Sequence, residues 1–212
     1  MAVTLTLGVI AAQRFAQTIA DGGVAVFPAD TVYGVACDPE NAAAARRLYE
    51  IKGRAQQKPA AVMFFSVARM LDEIEELDAS ARAAAVQLLP GPYTLVVANP
   101  RGRYAAACAE APGQMGLRVP ALTGELESLT AVRIPVMQTS ANLSGGPDAH
   151  TLHEVDPAVL DACDFALDGG AVDGTSSTVI DLTPADGWHC LRRGSEDAYT
   201  HAVEALGEPL PT

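Results

Sequence analysis

An α/β fold on a twisted, mixed sheet with flanking helices is what this sequence predicts, and three observations carry the prediction. Short apolar runs of strand length, "VAVFP", "AAVMFF", "YTLVVA" and "IPVMQTS", recur along the chain. Stretches with helical spacing, such as "AAQRFAQTIAD" and "ENAAAARRLYEI", lie between them. Toward the C-terminus "FALDGG", "SSTVIDL" and "HCLRRG" follow one another with no helix between, so some neighbouring strands pair antiparallel.

In chain order, residues 11–21 make a helix that Gly22-Gly23 stop. "VAVFP" is a buried strand. Residues 40–51 make a helix with Asp38 or Asn41 as its cap. "AAVMFF" is a strand, and one or two helices fill 67–89, the first capped by Ser66. "YTLVVA", "GLRVP" and "IPVMQTS" are strands, with a helix over 122–131 before the last. A short helix covers 154–162, the three C-terminal strands come next, and a helix closes the fold over 197–206. The tail "GEPLPT", residues 207–212, is expected to be loose. No repeat, low-complexity linker or composition break divides the chain. One domain over residues 1–212, with its core at about 10–195, is therefore expected.

Apolar residues at 49% and charged residues at 19% fit a folded globule and not a disordered chain. A net charge of -12 opposes wide binding to nucleic acid, which needs a basic footprint. Yet both lysines of the chain, Lys52 and Lys58, fall within "YEIKGRAQQKP", with Arg54 between them. Such a patch in an acidic chain suits a pocket for a small anion. Cys37, Cys108, Cys163 and Cys190 are scattered without metal-type spacing, which reads as reduced thiols and no metal site. "MAVTLTLGVI" lacks the features of a signal peptide and no apolar run reaches membrane-spanning length, so a soluble cytoplasmic protein is the default expectation.

Five segments place polar groups at strand ends, where ligands gather in such folds. In "FPADTVYGVACD" an apolar strand runs into Asp30, Thr31 and Tyr33; these either meet a ligand or cap a turn. In "KGRAQQKP", a chain leaving the helix extended at Ile51 puts Lys52 and Arg54 on one side, where Lys58 joins them as a polyphosphate site. The alternative for Lys52 is a cation favouring the helix dipole. "PGPYT" reads as a rigid turn. "QTSANLSGG" presents Thr139, Ser140, Asn142 and Ser144 after a strand, as an anion-binding loop or as a capped turn. Arg118 and Arg192 lie inside apolar strands, and a buried arginine needs a carboxylate such as Asp168 or Asp181, or else an anionic ligand. His150 with His153 reads as surface, and "DEIEELD" as a solvated helix face.

"FPADTVYGV", "KGR…KP", "PGPYT", "GLRVP", "SANLSG", "GTSSTV" and "LRRG" stand in the order found in the YrdC-type threonylcarbamoyl-AMP synthase family, which this chain resembles over about residues 10–195 in its short bacterial form. The resemblance implies a mixed sheet with a large concave cavity. It implies condensation of L-threonine, bicarbonate or CO2 and ATP to threonylcarbamoyl-AMP and pyrophosphate. Partner proteins then transfer the group to tRNA, which this chain meets only indirectly or weakly. By resemblance, Lys52, Arg54, Ser140 and Asn142 hold the ATP phosphates with Mg²⁺, Lys58 and Arg192 reach the nucleotide, and Thr31, Arg118 and Ser177 form the threonine site. Three positions depart from the pattern: Ala29-Asp30 for Thr-Glu, Met63 where the longer type often has histidine, and Arg193 for proline. Two other readings are an RNA-binding module and a paralogue making a different adenylate.

Overall fold

The computed structural model describes residues 2–53, 59–172 and 174–211. In chain order it has β1 (Val3–Thr6), α1 (Val9–Ala20), β2 (Ala25–Pro28), β3 (Tyr33–Cys37), α2 (Ala42–Ile51), β4 (Ala61–Met63), α3 (Val67–Glu73), α4 (Ala79–Leu88), β5 (Tyr93–Ala98) and α5 (Ala105–Cys108). β6 (Gln114–Arg118), β7 (Val136–Ser140), α6 (Pro157–Ala162), β8 (Phe165–Asp168), β9 (Thr178–Asp181), β10 (His189–Arg192) and α7 (Glu196–Leu206) complete it. Helix starts are capped as side-chain chemistry dictates: Asn41 accepts from Ala43 and Ala44, Ser66 from Arg69, Asp78 from Ala81 and Ser195 from Ala198.

The strands form one sheet in the order β1-β8-β2-β3-β7-β4-β6-β5-β9-β10. The pairs β1·β8, β8·β2, β4·β6 and β5·β9 are parallel and the others antiparallel, so the sheet is mixed. β9 and β10 pair antiparallel as neighbours in sequence, whereas β8 inserts between β1 and β2 at the far end.

Strand residues alternate between two faces. On one face Val35, Val62, Leu95, Leu117 and Met137 pack under α2, α3, α4 and α7. On the other, Ala25, Phe27, Ala36, Met63 and Val136 pack under α1 and a 3₁₀ helix at Gly124–Ala131. That second layer covers only part of its face. Beyond it, Ala61, Thr94, Val96, Gly116, Arg118, Gln138 and Ser140 line a cavity of about 270 Å³.

Several expectations are corrected. "FPADTVYGVACD" is a hairpin, β2 and β3, and not a strand running into a loop. The segment 122–131 is 3₁₀ over Gly124–Ala131 and not α-helix, and 154–162 begins as a helix only at Pro157, after a 3₁₀ turn at Leu152–Glu154. "DEIEELD" is the end of α3 and its link to α4 more than a solvated helix face: Glu73 accepts from the Tyr104 hydroxyl, and Glu76 from Arg103 Nε at 2.8 Å. The tail is docked, with Leu210 N–H on Trp188 O at 2.8 Å and Trp188 Nε1 donating to Gly207 O at 3.0 Å.

Candidate active site

The loop after β7 forms one wall. Ser140 Oγ donates to Asn142 Oδ1 at 2.5 Å, and Asn142 Nδ2 donates to Gly146 O at 2.6 Å. Ala141 N–H on Tyr33 O at 2.8 Å ties the loop's start to β3. The Lys52 ammonium, only 2% exposed, completes the loop from the end of α2. It donates to Ser140 O, to Asn142 O at 2.6 Å and to Asn142 Oδ1 at 3.0 Å, and Lys52 O accepts from Ser144 N–H at 3.0 Å.

This geometry corrects the extended exit expected after Ile51. Lys52 keeps helical backbone (φ -79°, ψ -7°), and Gly53 turns the chain at φ +55°, a conformation suited to glycine. Arg54 and Lys58 lie outside the described residues.

Arg118, 5% exposed, closes the cavity from β6. Its Nη2 donates to Asp30 Oδ1 and Thr31 Oγ1, both at 2.5 Å, while Asp30 Oδ2 accepts from Ala121 N–H at 2.9 Å. Its carboxylate is therefore Asp30, and neither Asp168 nor Asp181. Arg118 Nε is buried without a hydrogen-bond partner among the described residues, while the arginine as a whole lines the cavity. Arg192 is exposed on β10 and not buried in a strand, a correction to the expected burial. Its Nε and Nη2 donate to Ser177 O and Ser177 Oγ, each at 3.0 Å, and Ser177 Oγ also meets Thr94 Oγ1 at 2.9 Å.

Thr31, Arg118, Ser140, Ser177 and Arg192 thus line one cavity, whereas Lys52 and Asn142 stand behind it. Polar lining groups escaped the sequence reading, among them Asp148, Ser176 and Gln138. Asp148 accepts from Ser176 Oγ, a contact across 28 positions that no local pattern announces. For Gln138, its place two residues before Ser140, on the same strand face, is the signal that could have found it.

Burial pushes the Cys108 thiol at the cavity wall above its ordinary value of 9.0, so it is protonated at neutral pH. Burial also pushes the Tyr33 phenol up to about 12; its hydroxyl donates to Gly170 O at 2.7 Å and accepts from Gly169 N–H at 3.0 Å. Among the described residues no group of three His, Cys, Asp or Glu is arranged to hold a metal ion.

A cation-bearing polar cavity on the uncovered half of a mixed α/β sheet defines a protein that binds and positions a small anionic ligand. The Sua5/YciO/YrdC family model, which carries the description "telomere recombination", matches residues 17–194. The chain belongs to the Sua5/YciO/YrdC family. It is 33% identical over 158 residues to a Xanthomonas euvesicatoria protein named threonylcarbamoyl-AMP synthase, covering 74% of this chain and 84% of that one. Its structure is similar to that of Pyrococcus abyssi Sua5 complexed with L-threonine, with a TM-score of 0.79 and 26% identity over 97% of this chain. This chain spans 61% of that longer one. It also matches E. coli YciO at a TM-score of 0.80, covering 97% of this chain and all of that one; at 22% identity this shows the fold alone.

Proposed function

We infer that this chain is an L-threonylcarbamoyladenylate synthase, a nucleotidyltransferase that condenses L-threonine, bicarbonate or CO2 and ATP. The observation that carries the reading is the cavity itself. It brings Thr31, Arg118 and Ser177 together with the Ser140-x-Asn142 loop, itself bound to Lys52. Relatives that bear the synthase name support the same reading.

The chemistry asks little of the protein beyond placement and charge. Threonine's neutral amine attacks CO2 and sheds a proton, or attacks bicarbonate with loss of water, to give N-carboxythreonine. The new carboxylate attacks the α-phosphorus of ATP, and pyrophosphate leaves. Arg118 takes the amino-acid carboxylate from the cavity wall, held in place by Asp30. Thr31 and Ser177 flank it. The Ser140 loop receives the phosphates, and Arg192, Arg54 and Lys58 offset their charge. Mg²⁺ would enter with the triphosphate, where it neutralises charge. The described lining offers it one carboxylate, Asp148, which suits an ion held mainly by phosphate oxygens and water. The chain acts as one YrdC-like domain, and its product passes to partner transferases for tRNA modification. Among the described residues no helix is long and apolar enough to cross a membrane, in keeping with work in the cytoplasm.

The test is product detection by mass spectrometry after mixing the protein with ATP, Mg²⁺, bicarbonate, L-threonine and pyrophosphatase, with rapid quenching. The expected result is a threonylcarbamoyl-AMP mass that disappears when threonine or bicarbonate is omitted. Folded protein that binds ATP and yields no such mass would move the function to a different adenylate.

A further inference from the structure

Gln138 has no task in the chemistry of threonine, bicarbonate and ATP as assigned to the other residues. It is 8% exposed, it lines the cavity, and its carboxamide makes no hydrogen bond among the described residues. Neither amide atom is sealed from solvent, so both open on the cavity, where a ligand group can take up their hydrogen bonds.

Strand register says which part of the ligand that is. Gln138 stands opposite Ala61, and Ala61 opposite Gly116, in one cross-strand row on the open face. The next row on one side is Val136, Met63 and Arg118; on the other side Ser140 stands opposite Gly34. Each row is about 7 Å from the next. Small neighbours keep the space beside the amide open, and a Cβ on Gly34 would come within 3.3 Å of Gln138 Oε1. Gln138 therefore lies between the row of the arginine and the row that opens the phosphate loop.

If the synthase reading holds, the group that must sit between those rows is the carboxyl joining amino acid to phosphate. We propose that the Gln138 carboxamide binds that carboxyl group, with Nε2–H donating to one oxygen of N-carboxythreonine while the other oxygen attacks the α-phosphorus. The bond formed is carbamate oxygen to phosphorus. The bond broken is that between the α-phosphorus and the oxygen bridging to the β-phosphorus, whose electron pair leaves with pyrophosphate. The amide neither gains nor loses a proton. A neutral donor orients the nucleophile without neutralising it, which a lysine or arginine in this place would do.

The test compares the wild type with Gln138→Met, which keeps length and flexibility, and Gln138→Glu, which sets a negative charge against the carboxyl group. Adenylate formation is titrated with bicarbonate, binding of L-threonine and of ATP is measured by calorimetry, and thermal unfolding is recorded. Gln138→Met is expected to lose roughly 10- to 100-fold in kcat/KM for bicarbonate, the factor that one hydrogen bond to a charged group supplies. Gln138→Glu should lose at least as much. Threonine and ATP affinities should stay within about twofold and melting should stay near wild type, which a merely structural role would not allow. Wild-type bicarbonate kinetics in folded Gln138→Met, or an equal loss in both binding affinities, overturns the inference and leaves the synthase reading standing. A wild-type chain that makes no product overturns that reading and the inference with it.

Discussion

At the scale of single residues, Lys52 joins fold to function. Its ammonium supplies three donors to three oxygens of the Ser140 loop, so its removal strands buried acceptors as well as a charge. Lys52→Ala is expected to cost about 2–4 kcal/mol, which lowers the melting temperature by roughly 4–15 °C in a chain of this size. Adenylate formation should fall on the order of 100-fold or more, since the loop proposed to meet the phosphates loses its anchor. Lys52→Arg should restore little, because a planar fork does not reproduce three donors fanned from one nitrogen. Differential scanning calorimetry with initial rates checks both effects; wild-type melting with lost activity would mean direct phosphate contact and no anchoring role. The sequence showed Lys52 and Ser140-x-Asn142 as separate motifs, but not their contact. The partner of Arg118 was equally hidden, because Asp30 lies 88 positions away and only the curled hairpin of β2 and β3 brings it near.

At the scale of elements, one ion pair fastens α2 to the far end of the sheet. Arg47 grips Asp164 at 2.6 and 3.0 Å and Ala162 O at 2.6 Å, while Asp164 Oδ2 accepts from Val24 N–H at 2.8 Å. Burial raises the Asp164 carboxyl, but the Arg47 hydrogen bond and charge, together with the Val24 N–H, outweigh it and hold it below its ordinary value of 3.8. A carboxyl depressed in the folded state stabilises the fold above its unfolded value, and that stability is lost as pH falls through the folded value. Arg47→Ala should therefore be less stable than wild type at neutral pH, with the gap closing below about pH 4. Urea midpoints between pH 7 and pH 3 test this, and a gap constant over that range would place the effect in packing. Strands covered on one or both faces were legible as apolar runs. β1 was not, because all four of its residues are exposed and carry no burial pattern. β3 was missed because Gly34 and the preceding Asp30 and Thr31 read as turn chemistry.

At the scale of the whole molecule, the alternation of apolar runs with helically spaced stretches announced the α/β class but not the strand order. β8 crosses to the β1 end while β9 and β10 form the other edge, so the cavity draws its groups from strands that only tertiary pairing unites. That is why Ser140, Arg118 and Arg192 were visible as motif residues, whereas Gln138 and Asp148 had to be seen in place. The same scale decides between synthase and RNA-binding module. The chain carries a net charge of -12, and among the described cavity-lining residues the cations are Arg118 and Arg192, the first already paired with Asp30. A duplex or a tRNA presents phosphates over tens of ångströms, and its binding gains from released counterions only where a basic track neutralises several of them. A pocket with two arginines in an acidic body can take one triphosphate, and it repels the polymer around it. Gel-shift titrations with tRNA and with duplex RNA should accordingly show no retention near physiological salt, and none of the steep rise in affinity on dilution that phosphate tracking produces. ATP should bind under the same conditions. Retention that weakens linearly in log salt would instead reveal a basic track and would favour the RNA-binding reading over the synthase.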